Sequence, residues 1–149
     1  MNFVRETLTP QLIEQLKPLF KAHYEELENP DLKDVMKFEP NYEFFLNCEH
    51  NGTLRVYLMR SLTEVIGYWI VFVHTSLHSR RTFTASSDSL YVKQEYRGHG
   101  LNFIHWVMSE LKAEGVKIFN VLIQAKHDWG KVLRRYGFAQ QELAYTVVL

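Results

Sequence analysis

Between Asp88 and Phe103 the chain runs from strand-forming residues into a glycine-rich turn and then into an amphipathic helical pattern. The spacing predicts a strand over Ser89–Lys93, a tight turn over Glu95–Gly100 and a helix beginning near Leu101. A helix N-terminus presents unpaired N–H groups and the positive end of its dipole, and both suit a phosphate. Gly98 and Gly100 remove side chains that would block close approach to the backbone, and Arg97 adds a charged fork. The turn therefore suits a pyrophosphate. The alternative is a turn that binds nothing, because strand-to-helix turns often contain glycine without any ligand. Two nucleotide motifs are excluded by spacing. A P-loop needs Lys and then Ser or Thr directly after its last glycine, where this chain has Leu101 and Asn102. The third glycine of the dinucleotide fingerprint would fall at Phe103.

The stretch resembles the acyl-CoA-binding motif of the GNAT N-acetyltransferase superfamily, Arg/Gln-x-x-Gly-x-Gly/Ala. Here Arg97, Gly98, His99, Gly100, Leu101 and Asn102 occupy it, after the strand end Leu90, Tyr91, Val92. The run from Leu133 to Gly137 and Phe138 resembles the family's closing Tyr-x-x-x-Gly-Phe, with Leu133 in the tyrosine's place. The resemblance implies that the pantetheine arm of acetyl-CoA lies along Leu90–Val92 and its pyrophosphate on the amides from Arg97 to Asn102. Asn102 departs from the family's Gly or Ala. Leu133 departs from the usual proton donor. A looser pattern, from His74 and Asp88 through Arg97 to Gly137, resembles acetyltransferase-like proteins of tailed bacteriophages.

The 149 residues are expected to form a single α/β domain over 1–149 with a GNAT-like mixed central sheet flanked by about four helices. Hydrophobic residues at 46% and charged ones at 23% exclude a disordered chain. Lys plus Arg equals Asp plus Glu, so no global field draws nucleic acid or an acidic membrane. Cys48, the one cysteine, excludes an internal disulfide, and no apolar run reaches membrane-spanning length. A cytoplasmic protein is expected, and a homodimer is left open.

Along the chain the pattern predicts an edge strand over Phe3–Thr7 and a helix over Pro10–Glu28, capped by Thr9 and kinked or split at Pro18. A short helix is expected over Tyr42–Glu49, then a hairpin of Leu54–Met59 with Val65–His74. Thr75–Ser86 reads as a long polar surface loop. After the strand and turn come a helix ended by Gly115, a buried strand over Ile118–Ile123, a helix capped by Asp128 and ended by Gly137, and a final strand or two over Phe138–Leu149.

Acetyl transfer to an amine needs a base, a polarised carbonyl and a proton for the leaving thiolate. Asp88 is the candidate base, placed by strand alternation on the face of Leu90 and Val92; the alternative is an Asp that hydrogen-bonds the preceding turn. Tyr136 is the candidate donor in the absence of one at Leu133; the alternative is a core aromatic. His74, at the end of the preceding strand, and His78 and Arg80, on the Thr75–Ser86 loop, are expected to line the acceptor site. The spacing of the two histidines, with no third ligand, does not make a metal site. The expected function is direct transfer of acetyl from acetyl-CoA to an amine acceptor, a small molecule or a protein amine. The basic loop favours an acceptor with an anionic group over a polyamine. The competing reading is a catalytically reduced GNAT-fold protein with a binding or assembly role.

Overall fold

The computed structural model describes residues 1–27 and 29–149. Five strands lie side by side in sequence order: β1 (Asn2–Glu6), β2 (Leu54–Ser61), β3 (Glu64–Ser76), β4 (Ser79–Val92) and β5 (Ile118–Asn120). The first four pair antiparallel and β5 joins β4 in parallel, so the sheet is mixed. Helices α1 (Pro10–Leu27) and α2 (Tyr42–His50) cover one face; α3 (Gly100–Ala113) and α4 (Gly130–Arg135) cover the other.

Each face has its own apolar cluster. Leu12, Ile13, Leu16 and Leu19, at helical spacing on α1, pack on Val56, Leu58, Tyr68 and Ile70. On the other side Phe103, Ile104, Val107 and Leu111 of α3 pack on Tyr57, Trp69 and Val71. Adjacent residues of β3 thus feed opposite clusters, which is why that strand is apolar at nearly every position. The Tyr57 hydroxyl is fully buried and has no hydrogen-bond partner among the described residues.

The local signals explain the element ends. Thr9 Oγ1 accepts from Leu12 N at 3.1 Å, with Pro10 opening the helix where no N–H is needed. Pro18 does not split α1; it sits on the exposed side, where water can satisfy the carbonyl it leaves free. The expected last residue of that helix, Glu28, lies outside the described residues. Gly115 and Gly137, at φ +91° and +87°, each close a helix by letting the next residue's N–H reach back to Leu111 O and Leu133 O.

Three expectations are corrected. Thr75–Ser86 is not a loop: β3 and β4 form one long hairpin, turning at Leu77–His78 between the paired Ser76 and Ser79. Its hydroxyl side chains hide the alternation that hydrophobic spacing detects, while threonine and phenylalanine still favour the pleated backbone. The strand expected over Ile118–Ile123 stops at Asn120. No strand forms over 138–149; this tail has strand-type residues but no neighbouring ladder, and Leu143, Tyr145 and Val147 stand in solvent.

Candidate functional site

The parallel pairing of β4 with β5 is short: Thr84 with Ile118, Ala85 with Phe119, Ser86 with Asn120. Beyond it β4 runs on to Val92, whereas residues 121–124 leave strand conformation. The two segments therefore part at Ser87, and one edge of β4 from there to Val92 has no strand beside it. Leu90 and Tyr91 are half-buried and Val92 is buried along this stretch.

The open edge leads into the glycine turn. Gln94–His99 is a single 3-10 segment and α3 starts at Gly100. No side chain caps α3, since His99 makes no capping hydrogen bond. A Cβ added at Gly98 or Gly100 would meet nothing within 4 Å, so packing does not require glycine at either position. His99, Leu101 and Asn102 are exposed around the same helix end. Arg97 is turned back instead: its Nε donates to Val92 O at 3.1 Å and its Nη2 to the Glu26 carboxylate at 2.5 and 2.7 Å, with the guanidinium 6.0 Å from the Tyr91 ring.

At the point of separation β4 carries a bulge. Ile70 pairs with Ser89 but Val71 pairs with Ser87, leaving Asp88 without an opposite residue. The extra residue reverses the strand's alternation. Ala85 and Ser87 face the α3 side, and so do Leu90 and Val92, while Ser89 and Tyr91 face α1. The alternation that would group Asp88 with Leu90 and Val92 is thus broken. The Asp88 carboxylate accepts from Ser89 Oγ at 2.9 Å, and its charge adds to the burial that raises the Tyr68 hydroxyl above its ordinary pKa. Asp88 is exposed as a residue, yet partial desolvation by the surrounding protein raises its pKa, with the Ser89 hydrogen bond opposing the shift. On the other side of the bulge Trp69 Nε1 donates to the buried Ser87 Oγ at 2.8 Å.

Beside Ser89 and Tyr91 stands a pair that hydrophobic spacing conceals. His23 Nδ1 lies 2.6 Å from the Tyr68 hydroxyl, and its ring stacks on Tyr91 at 5.2 Å. Burial lowers the His23 pKa to about 4, with Arg97 adding to the shift and Glu26 opposing it, so the imidazole is neutral at pH 7. His23 is one of the positions of the α1 apolar stripe; a titratable residue in such a stripe is the signal that could have singled it out. Tyr68, Ser89 and Glu26 carry no comparable signal, because only the fold brings them together.

Two cavities open on the α1 side. One of about 140 Å³ is lined by Phe20, Pro40, Phe45, Ile70 and Ser89. The other, about 400 Å³, lies between α1 and the ends of β3 and β4, with Gln15, Pro18, Thr63, Tyr91 and Lys93 among its walls.

The remaining expected site residues are scattered. Tyr136 donates its hydroxyl to Leu101 O at 2.8 Å, tying α4 to the first turn of α3, and Leu133 is buried in the core. His74 holds Thr75 O through Nδ1 at 2.9 Å, His78 sits in the hairpin turn, and Arg80 is exposed just after it. Arg80 is roughly 26 Å from Asp88 along β4 at the usual strand rise, so the structure does not bring these three residues to the bulge. Among the described residues no three His, Cys, Asp or Glu side chains are grouped to hold a metal ion, and no helix is long and apolar enough to cross a membrane.

No family model and no curated protein sequence matches the chain. Solved structures do. An aminoglycoside acetyltransferase from an uncultured soil metagenomic sample superposes with a TM-score of 0.75 over 99% of this chain and 95% of its own, at 17% identity. The ribosomal-protein-alanine N-acetyltransferase of Brucella melitensis biovar Abortus 2308 gives 0.70 over 100% and 99%, at 12% identity. The chain has the GNAT fold. A transcriptional regulator from Bacillus halodurans C-125 is equally similar, with a TM-score of 0.75 over 99% and 100% at 12% identity. At these identities the likeness is one of GNAT architecture, and activity must be argued from the site.

Proposed function

We propose that this protein is an acyl-CoA-dependent N-acyltransferase that moves acetyl from acetyl-CoA directly to an amine. The observation that carries the reading is the continuity of two features: the unpaired edge of β4 from Ser87 to Val92, and the uncapped start of α3 at Gly100 into which it leads. The edge offers backbone groups to an extended amide-bearing chain, and the helix start offers N–H groups to a pyrophosphate. Gly98 and Gly100 fit this reading, since packing does not explain them. Arg97 would have to leave Glu26 to reach a phosphate, so the ion pair weakens binding without blocking it.

Asp88 accepts the proton that the amine loses as its nitrogen bonds to the thioester carbon and the carbon–sulfur bond breaks. Its raised pKa makes it a better acceptor than an ordinary carboxylate. The leaving thiolate takes a proton from water or from Tyr136, whose hydroxyl must first release Leu101 O. A second reading, a GNAT-fold binding protein without turnover, draws on the buried Leu133 at the donor position and on the engaged Tyr136 hydroxyl.

Calorimetry with acetyl-CoA and coenzyme A tests the first reading; no heat at millimolar ligand refutes it. Gly100→Glu is expected to abolish binding by clash and charge while leaving the fold intact. Binding without thiol release across an amine panel favours the second reading.

A further inference from the structure

The cavity of about 140 Å³ touches the bulge through Ser89, the residue whose hydroxyl donates to Asp88. Its other walls come from α1 (Phe20), the segment before α2 (Pro40), α2 (Phe45) and β3 (Ile70), all of them apolar. We propose that this cavity is the acceptor's side-chain subsite, and that the acceptor is a primary amine carrying one benzene-sized apolar group a methylene or two from its nitrogen. The inference rests on the acyltransfer reading and names its substrate class.

Size and polarity set the class. An apolar protein cavity of about 150 Å³ accepts a benzene ring, and filling it removes the ring from water. A polyhydroxylated amine would bury several hydroxyls with Ser89 as the one polar wall, and unpaired hydroxyls are costly. The charge at the mouth fits as well. Between Glu25 and Glu43 the chain has seven acidic residues and two basic ones. Among the described residues Glu26 is matched by Arg97, Asp31 by Lys126 and Glu25 by Lys21, which leaves Asp34, Glu39 and Glu43 against Lys33 and Lys37, an excess of one acid. The same connection exposes Val35, Met36 and Phe38, so it is both acidic and apolar. A cationic hydrophobe suits such an approach; an anionic acceptor does not. This reverses the preference read from the basic residues near Arg80, which lie at the other end of β4. Inside, a ring against Phe20, Phe45 and Ile70 leaves its amino group at the cavity's one polar wall, next to Asp88.

The experiment has two readouts. Binding of phenethylamine, ethylamine and an aminoglycoside is followed without acetyl-CoA by the methyl NMR signal of Ile70, and thiol release is followed with acetyl-CoA for the same three. The expected result is a shifted Ile70 methyl with phenethylamine alone, and kcat/KM for it roughly 10- to 100-fold above ethylamine. Phe45→Trp, which fills the cavity from the half-buried α2, should erase that preference, bringing phenethylamine down to the level of ethylamine; Phe45→Ala should extend the preference to a naphthyl amine. A shifted Ile70 methyl with no thiol release from any amine keeps the apolar amine site and refutes transfer. Thiol release that is equal for ethylamine and phenethylamine, or best for the aminoglycoside, keeps transfer and overturns the subsite. An unmoved Ile70 methyl with all three amines also overturns it. Should Phe45→Trp lower the melting temperature, the Phe45→Ala arm carries the test by enlarging the cavity, and an unchanged preference there overturns the subsite.

Discussion

Ser87→Ala is the sharpest test of how the bulge is held. Ser87 is the last residue of β4 before the extra residue, and its hydroxyl is the acceptor for the indole N–H of Trp69, whose side chain is fully buried. Removing the oxygen leaves that N–H in an apolar cluster, and the space vacated is too small to admit water. A buried donor without a partner costs about 1–3 kcal/mol. For a chain of this length that corresponds to a fall in melting temperature of roughly 3–10 °C. Urea unfolding should show a lower midpoint at constant slope, since the surface exposed on unfolding does not change. Ser86→Ala is the control: Ser86 is half-buried on the opposite face, and its change should stay within about 0.5 kcal/mol. If the two variants melt together, the Trp69–Ser87 bond does not hold this strand and the account of the bulge is wrong.

Three further outcomes follow from polar groups that the fold desolvates. Tyr57→Phe removes a hydroxyl that has no partner and should leave stability unchanged or raise it by up to about 1 kcal/mol; a clear loss in thermal melts would reveal a bond the structure does not contain. His23 titrates near 4 when folded against an ordinary 6.5, so the unfolded chain holds the extra proton between those values and stability rises with pH across that window, by about 3 kcal/mol. His23→Phe, which keeps the stack on Tyr91, should flatten this slope, and an imidazole signal titrating above pH 6 would contradict the shift. For Asp88 the folded pKa is raised, so stability is full below the ordinary carboxylate value and is lost as pH rises through the folded one. Asp88→Asn should therefore melt higher than the parent at pH 7 and no differently near pH 3, while losing acetyl transfer at neutral pH; full transfer in this variant removes Asp88 as the base.

Much of the fold was legible because it rests on local chemistry. Thr9 and Pro10 mark the start of α1, Gly115 and Gly137 mark helix ends by the sign of φ, and the run of apolar residues in β3 reports burial on two faces. The hairpin tip was not legible, since serine, threonine and arginine show no hydrophobic period and become a strand through pairing with β3. The tail misled in the opposite sense: Leu143, Tyr145 and Val147 alternate well, but a strand needs a neighbour and none lies beside them. Of the site, the glycine turn was readable as a contiguous motif. The grouping of His23 with Tyr68 and of Asp88 with Ser89 was not, because one depends on contact across 45 residues and the other on a register shift.

That register shift also governs how β4 can change over generations. Substitution at Asp88 alters a charge and little else in the ladder. Loss of Asp88 would restore an unbroken ladder in which Ser87 still meets Val71 and Ser89 still meets Ile70, so Leu90, Tyr91 and Val92 would keep the faces they have. The bulge is thus a place where β4 can lose one codon without turning over, at the cost of the carboxylate, whereas a one-residue loss in the regular ladder beside it would reverse every side chain beyond the loss.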